Sequence, residues 1–137
     1  MLDKDFLSGI HVLIAEDNDD TRELLEVVLT HAAARVTAAP DGGAALEAIR
    51  RLLPDILIAD LAMPRKDGFW LIEQVRALPP EAGGRMPAVA VSALVAPPDI
   101  ERAKAAGYTE HVSKPADPGH LAALIGDLVR RSKRLDS

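Results

Sequence analysis

Three acids, one hydroxyl and one lysine carry the chemistry that can be read from this chain: Glu16 with Asp17, then Asp60, Ser92 and Lys114. Asp17 and Asp60, if close together, would repel and raise one another's pKa unless a cation stood between them. Ligands that are all oxygen, with neither His nor Cys among them, select a hard ion such as magnesium. Magnesium commonly keeps several waters and joins a carboxylate to a phosphate, which points to phosphoryl chemistry with Glu16 acting through a water. Lys114 supplies a mobile point charge for phosphoryl oxygens, and Ser92 a hydroxyl donor. No base or water-positioning residue is evident, which suits transfer onto Asp60 itself better than transfer onto a bound substrate.

Each of these residues has an ordinary reading when taken alone. Asp60 could be a helix cap or turn residue, and Glu16 and Asp17 the start of an acidic loop capping a helix. Ser92 could be a strand-end hydroxyl and Lys114 a surface lysine. What joins them is their place relative to the elements that must carry them. Apolar runs short enough for strands alternate with helix-spaced segments throughout. Val12 to Ala15 reads as a strand ending at Glu16-Asp17. Asn18, Asp19 and Asp20 then offer an N-cap to a helix with Leu24, Leu25, Val28, Leu29 and Ala32 on its inward face. Arg35 to Ala38 is a second strand, followed by a helix capped by Asp41 that buries Ala45, Ala48, Ile49 and Leu52. Ile56 to Ala59 is a third strand, ending at Asp60. The helix after it, from about Gly68 to Leu78, buries Leu71, Ile72 and Val75, and a loop follows from Pro79 to Pro87.

Ala88 to Val91 makes a fourth strand, ending at Ser92. Pro97, Pro98 and Asp99 open a short helix that Gly107 can cap. Glu110 to Ser113 is the fifth strand, with Lys114-Pro115 directly after it. A last helix from Pro118 turns Leu121, Leu124, Ile125, Leu128 and Val129 inward. Five β–α units in succession predict an α/β fold, a parallel sheet with helices on both faces and every strand's carboxyl end on one edge. Ligand sites collect at that edge in open α/β sheets, and four of the five strand ends carry the chemistry.

The chain as a whole reads as one domain over residues 1–137, with a core from about 10 to 131 and a tail from 132 to 137. The absence of cysteine excludes disulfides and thiolate metal sites. The acidic start lacks the apolar core of a signal peptide, and the longest uncharged stretch, Met86 to Pro98, is too short and proline-rich to span a bilayer. A cytoplasmic protein without membrane association is expected. The net charge of −5 argues against direct nucleic-acid binding, which needs a clustered basic surface. The one basic cluster, Arg130, Arg131, Lys133 and Arg134, fits a solvated helix end.

Four ordered motifs also carry a family resemblance: Val12-Leu13-Ile14-Ala15-Glu16-Asp17-Asn18, then Asp60-Leu61-Ala62-Met63-Pro64 with Asp67-Gly68, then Val91-Ser92-Ala93, and Lys114-Pro115. Over nearly its full length the chain resembles the receiver domain of two-component response regulators. The resemblance implies a flavodoxin-like five-stranded sheet of order 2-1-3-4-5, an order that general fold rules already illustrate with a receiver. It implies that Asp60 is the phosphoacceptor for a phosphohistidine on a sensor histidine kinase or phosphotransfer protein. By the same resemblance Asp17, Asp60 and the backbone carbonyl of Ala62 are the Mg2+ ligands, and Glu16 lies in the outer shell. Ser92 and Lys114 would grip the phosphoryl oxygens, Lys114-Pro115 would be cis, and Ser92 would carry the switch into the loop that follows it. An output partner would meet the face formed by the fourth helix, fifth strand and fifth helix.

Three positions depart from the commonest pattern of that family. His111 stands where Tyr or Phe often serves as a rotamer switch; the alternatives are a plain strand histidine and a switch coupled to pH. Ala62 and Leu94 occupy positions that tune loss of the phosphoryl group, and neither can orient water by hydrogen bonding, so slow self-dephosphorylation is expected. Ala116 stands where a bulkier apolar residue is common. The segments Leu7 to Leu13 and Arg76 to Pro87 resemble receivers of hybrid sensor kinases, so a free-standing receiver and an excised domain both fit. Two other functions compete. A receiver-like binding module working without phosphorylation would not need Asp60, Asp17 and Lys114. A magnesium phosphohydrolase of the haloacid-dehalogenase type would want an aspartate where Ala62 stands.

Overall fold

The computed structural model describes residues 5–135. The order of elements is β1 (His11–Ala15), α1 (Asp19–His31), β2 (Arg35–Ala39), α2 (Gly42–Leu52), β3 (Ile56–Ala59), α3 (Gly68–Arg76), β4 (Ala88–Ser92), α4 (Pro97–Ala106), β5 (Glu110–Ser113) and α5 (Pro118–Leu135). The strands form one sheet in the order β2-β1-β3-β4-β5, and every pairing is parallel. Both are as expected from the sequence.

Alternation along the strands divides the core into two layers. Leu13, Ala15, Leu57, Ala59, Ala88 and Ala90 face α2, α3 and α4, where they meet Ala45, Ile49, Leu71, Ile72 and Val75. Val12, Ile14, Ile56, Ile58, Val89 and Val91 face α1 and α5, against Leu25, Leu29, Leu121, Ile125 and Val129. β1, β3 and β4 are buried at every residue, because helices cover both of their faces.

Of the side chains the sequence offers as N-caps, Asn18 caps α1 and Asp41 caps α2; Asp67, not singled out as a cap, closes α3 in the same way. Asn18 accepts from Thr21 N–H, Asp41 from Ala44 N–H and Asp67 from Trp70 N–H. Gly107 ends α4 with φ 132°, a conformation that favours glycine.

Several boundaries and one buried face differ from the sequence reading. Leu24 is not inward: Leu25, Leu29 and Ala32 form the buried stripe of α1, and Leu24, one residue off it, is 57 % exposed. Helix α3 stops at Arg76 rather than near Leu78, since Leu78 precedes Pro79 and a residue before proline is disfavoured in helix. The following loop contains a short 3-10 turn at Pro80–Ala82.

Strands β1, β2 and β4 are each one residue longer than read. The core also begins before residue 10: Leu7 is fully buried, and its N–H donates to Ala32 O. Helix α5 runs to Leu135, four residues into the expected tail. Its basic last turn is favourable at a helix C-terminus, and Arg131 pairs with Asp127 one turn back. Residues 1–4 and 136–137, part of the domain and tail as read, lie outside the described residues.

Candidate functional site

The register places the chemistry-bearing residues without help from the loops. Ala15 pairs with Ala59 across β1 and β3, so the next residues, Glu16 and Asp60, lie level at the carboxyl edge. The ladder extends past the strands: Glu16 N–H donates to Ala39 O and Asp60 N–H to Ala15 O. On the other side Ser92 pairs with Ser113, and Lys114 N–H donates to Ser92 O. The Lys114–Pro115 peptide is cis, as expected.

Side chains then close the site. Glu16, Asp17 and Asp60 each offer a carboxylate oxygen within 4.8 Å of the other two. Lys114 Nζ donates to Glu16 Oε1 at 2.6 Å and to Asp60 Oδ2 at 3.0 Å. Asp60 Oδ1 accepts from Ala62 N–H at 3.1 Å. Glu16 Oε2 accepts from Asn18 N–H, and Arg22 donates to the Glu16 carbonyl. Glu16 and Asp60 are buried, and Asp17 is exposed at the mouth.

Three carboxylates therefore face one ammonium, a surplus of negative charge that repels unless neutralised. Burial, the largest influence on Glu16, holds its carboxyl above the usual carboxylate range, with the Lys114 bond and Asn18 N–H pulling the other way. Burial also works to lower the Lys114 ammonium, but its hydrogen bonds to Glu16 and Asp60 outweigh that and hold it above the ordinary lysine value. The donor set is hard oxygen only, it carries excess negative charge, and Asp17 leaves it open to solvent. A hard divalent cation such as magnesium fits these residues.

Ser92 is fully buried, and its Oγ accepts from Leu94 N–H at 3.1 Å. His111, half-buried on β5, lies with Nε2 3.1 Å from Leu94 O, where a ring N–H donates. Leu94 is thus held at its N–H by Ser92 and at its carbonyl by His111. Ala62 is exposed in the β3–α3 loop. Ser92 and His111 therefore join the site through Leu94 and the sheet edge, whereas Glu16, Asp17, Asp60 and Lys114 meet directly.

Some residues that hold the elements around the site gave no signal in the sequence. Tyr108, 3 % exposed, donates its hydroxyl to Gly68 O at 2.7 Å. Arg76 donates to the carbonyls of Gly84, Met86 and Gly107, tying the end of α3 to the next loop and to the end of α4. Burial lowers the Arg76 pKa from its ordinary value. The sequence offers Asn18 as a helix cap, which it is, but the bond from its N–H to Glu16 follows only from the fold.

The family model described as response regulator receiver domain matches residues 12–126. The chain is 40 % identical over 119 residues to an uncharacterised 14.6 kDa protein of Leptolyngbya boryana, covering 87 % of this chain and 89 % of that one. It is 36 % identical over 121 residues to the transcriptional regulatory protein CseB of Streptomyces avermitilis, covering 88 % of this chain and 49 % of CseB, so it spans about half of that relative's length. Among solved structures, the receiver domain of a sensor histidine kinase from Pseudomonas aeruginosa, described with a magnesium ion coordinated in its active site cleft, superimposes with a TM-score of 0.81. It is 28 % identical, over 89 % of this chain and 98 % of that one.

Proposed function

Since this chain belongs to the response regulator receiver family of two-component signalling, we propose that it takes a phosphoryl group from a phosphohistidine onto the carboxylate of Asp60. The donor is a sensor histidine kinase or a phosphotransfer protein. One observation carries the reading: the Lys114 ammonium bridges Asp60 and Glu16 within a cluster of three acids at the carboxyl edge of the sheet. In the transfer, an Asp60 oxygen bonds to phosphorus as the bond from phosphorus to the imidazole nitrogen breaks, and that nitrogen keeps the electron pair.

Asp17, Asp60 and the Ala62 carbonyl would hold Mg2+, with Glu16 in the outer shell. The ion, when bound, supplies charge that the phosphoryl oxygens require. Lys114 then turns from the carboxylates toward those oxygens. Ser92, whose Oγ accepts from Leu94 N–H, has its own O–H to donate to a phosphoryl oxygen. Drawing Ser92 inward releases one of the two bonds on Leu94, leaving the His111 contact as the other. The loop from Ala93 to Ala96 and the start of α4 then shift, presenting the face of α4, β5 and α5 to an output partner.

Receivers are signalling domains, and this reading gives the chain no separate substrate to turn over. Among the described residues no helix is long and apolar enough to cross a membrane.

The test is beryllofluoride with magnesium, followed by NMR. Shifts at Ser92, Leu94 and the first turn of α4 that disappear in Asp60→Asn support phosphoacceptance. Absence of any response in the wild-type chain overturns it and leaves a phosphorylation-independent binding module. In His111→Ala, the same experiment should leave the shift at Ser92 and change the response of Leu94; an unchanged Leu94 removes His111 from the switch.

A further inference from the structure

The loop from Leu61 to Asp67 carries Ala62, and its base is closed by a hydrogen bond from Gly68 N–H to Leu61 O at 3.0 Å. Gly68 lies directly against the acid-bearing backbone, since a Cβ there would stand 2.4 Å from Asp60 O and 2.7 Å from Leu61 Cα. The other polar group of Gly68, its carbonyl, receives the hydroxyl of Tyr108. A carbonyl has two lone pairs, so this bond adds to the helical one instead of replacing it. The neighbouring residue Gly107 accepts from Arg76. Residues 107 and 108 thus grip α3 at its last residue and its first.

We propose that Tyr108 is a positioning residue for the phosphoacceptor loop: its buried hydroxyl holds Gly68, and through Gly68 the Asp60–Ala62 backbone, in the geometry that receives the metal and the phosphoryl group. The inference rests on the roles assigned above to Asp60 and Ala62. The sole tyrosine of the chain is thereby more than core filling. Its ring belongs to the buried cluster between the sheet and α2, α3 and α4, and its oxygen spends its proton on Gly68, the helix residue that lies against Asp60. Burial also pushes the phenol pKa far up, so the group stays a donor.

Tyr108→Phe keeps the ring and removes the oxygen. In metal-free protein, amide exchange at Gly68 and Ala62 should accelerate about fivefold relative to wild type, the factor one net hydrogen bond commands. Magnesium affinity, followed by the fluorescence of the sole tryptophan, Trp70, should weaken by a similar factor. Val129→Ala, on the opposite face of the sheet, should lower stability and leave both unchanged. Unaltered exchange and affinity in Tyr108→Phe, with stability alone reduced, would show a purely structural tyrosine and overturn the proposal.

Should that variant not fold, fluorotyrosine labels Tyr108 uniquely in the otherwise unchanged chain. Its fluorine resonance should then move on addition of magnesium, and a static signal counts against the proposal. A wild-type chain that neither binds magnesium nor accepts a phosphoryl group would defeat the reading of Asp60. The metal-free exchange at Gly68 would still decide whether Tyr108 holds the loop.

Discussion

Gly68→Ala sets two physical effects against each other. Helix propensity alone favours alanine over glycine by about 1 kcal/mol within a helix, and Gly68 is the first residue of α3. Sterics oppose it, because the new Cβ would stand 2.4 Å from Asp60 O, 2.7 Å from Leu61 Cα and 3.0 Å from Asp60 C. Comfortable separations are about 3.3 to 4 Å, so α3 and the end of β3 must part by roughly 1 Å. All three obstructing atoms are backbone of the two residues that directly follow β3, and no side-chain rotation relieves them. That places the cost near the upper end of the overpacking range, about 3 kcal/mol. Less the propensity gain, the net loss is about 2 kcal/mol, or roughly 6–10 °C in Tm for a chain of this size. Gly43→Ala and Gly119→Ala are the controls. Each lies near a helix start with its nearest obstructing atom an aspartate oxygen at 3.5 Å, so each should be neutral or stabilising by up to about 1 kcal/mol. Urea unfolding of metal-free protein at constant m-value reads all three. If Gly68→Ala matches or exceeds the wild type in stability, α3 does not rest on Asp60 and the close approach is wrong.

Three further outcomes follow from the same contacts. His11 is largely buried with Nε2 2.8 Å from Thr37 Oγ1. Burial first, and the Arg35 charge next, hold it below the ordinary 6.5, with Asp55 opposing. A folded-state pKa below the unfolded one gives stability that is present above about pH 6.5 and is lost as pH falls through the folded value; His11→Gln should flatten this limb in urea midpoints taken from pH 5 to 8, and equal slopes for both proteins would refute it. Lys114→Met strips the cation from two buried carboxylates and should destabilise metal-free protein by about 1–3 kcal/mol, with magnesium restoring more stability than it adds to wild type in thermal melts. Ala62→Asn places a group able to orient water beside Asp60 and should shorten the lifetime of the acyl phosphate severalfold, measured as decay after removal of donor; an unchanged lifetime would detach Ala62 from that role.

The parts of the site that were legible in the sequence share one property. Strand alternation could be read because β1, β3 and β4 are short apolar runs that stop at polar residues, and parallel pairing then forces those stops onto one edge. Glu16, Asp60 and Lys114 were inferable as a group because carboxylates and an ammonium are complementary by type, whatever the distance between them along the chain. The face of α1 was legible only in part: Leu24 and Leu25 are equally apolar, and which one turns inward depends on where the sheet and α5 stand relative to the helix.

Tyr108 and Arg76 were not legible at all, and the reason is their acceptors. Each ends on backbone carbonyls, Gly68 O for the one and Gly84, Met86 and Gly107 O for the other. Every residue has a carbonyl, so a bond to one leaves no mark in the types or spacing of its partner. The sequence of a fold like this therefore discloses the groups that meet through charge, and conceals those that hold the backbone beneath them. That asymmetry explains why Asp60 could be located from four separated motifs, while the tyrosine pinned to the helix against its carbonyl became visible only once the chain was folded.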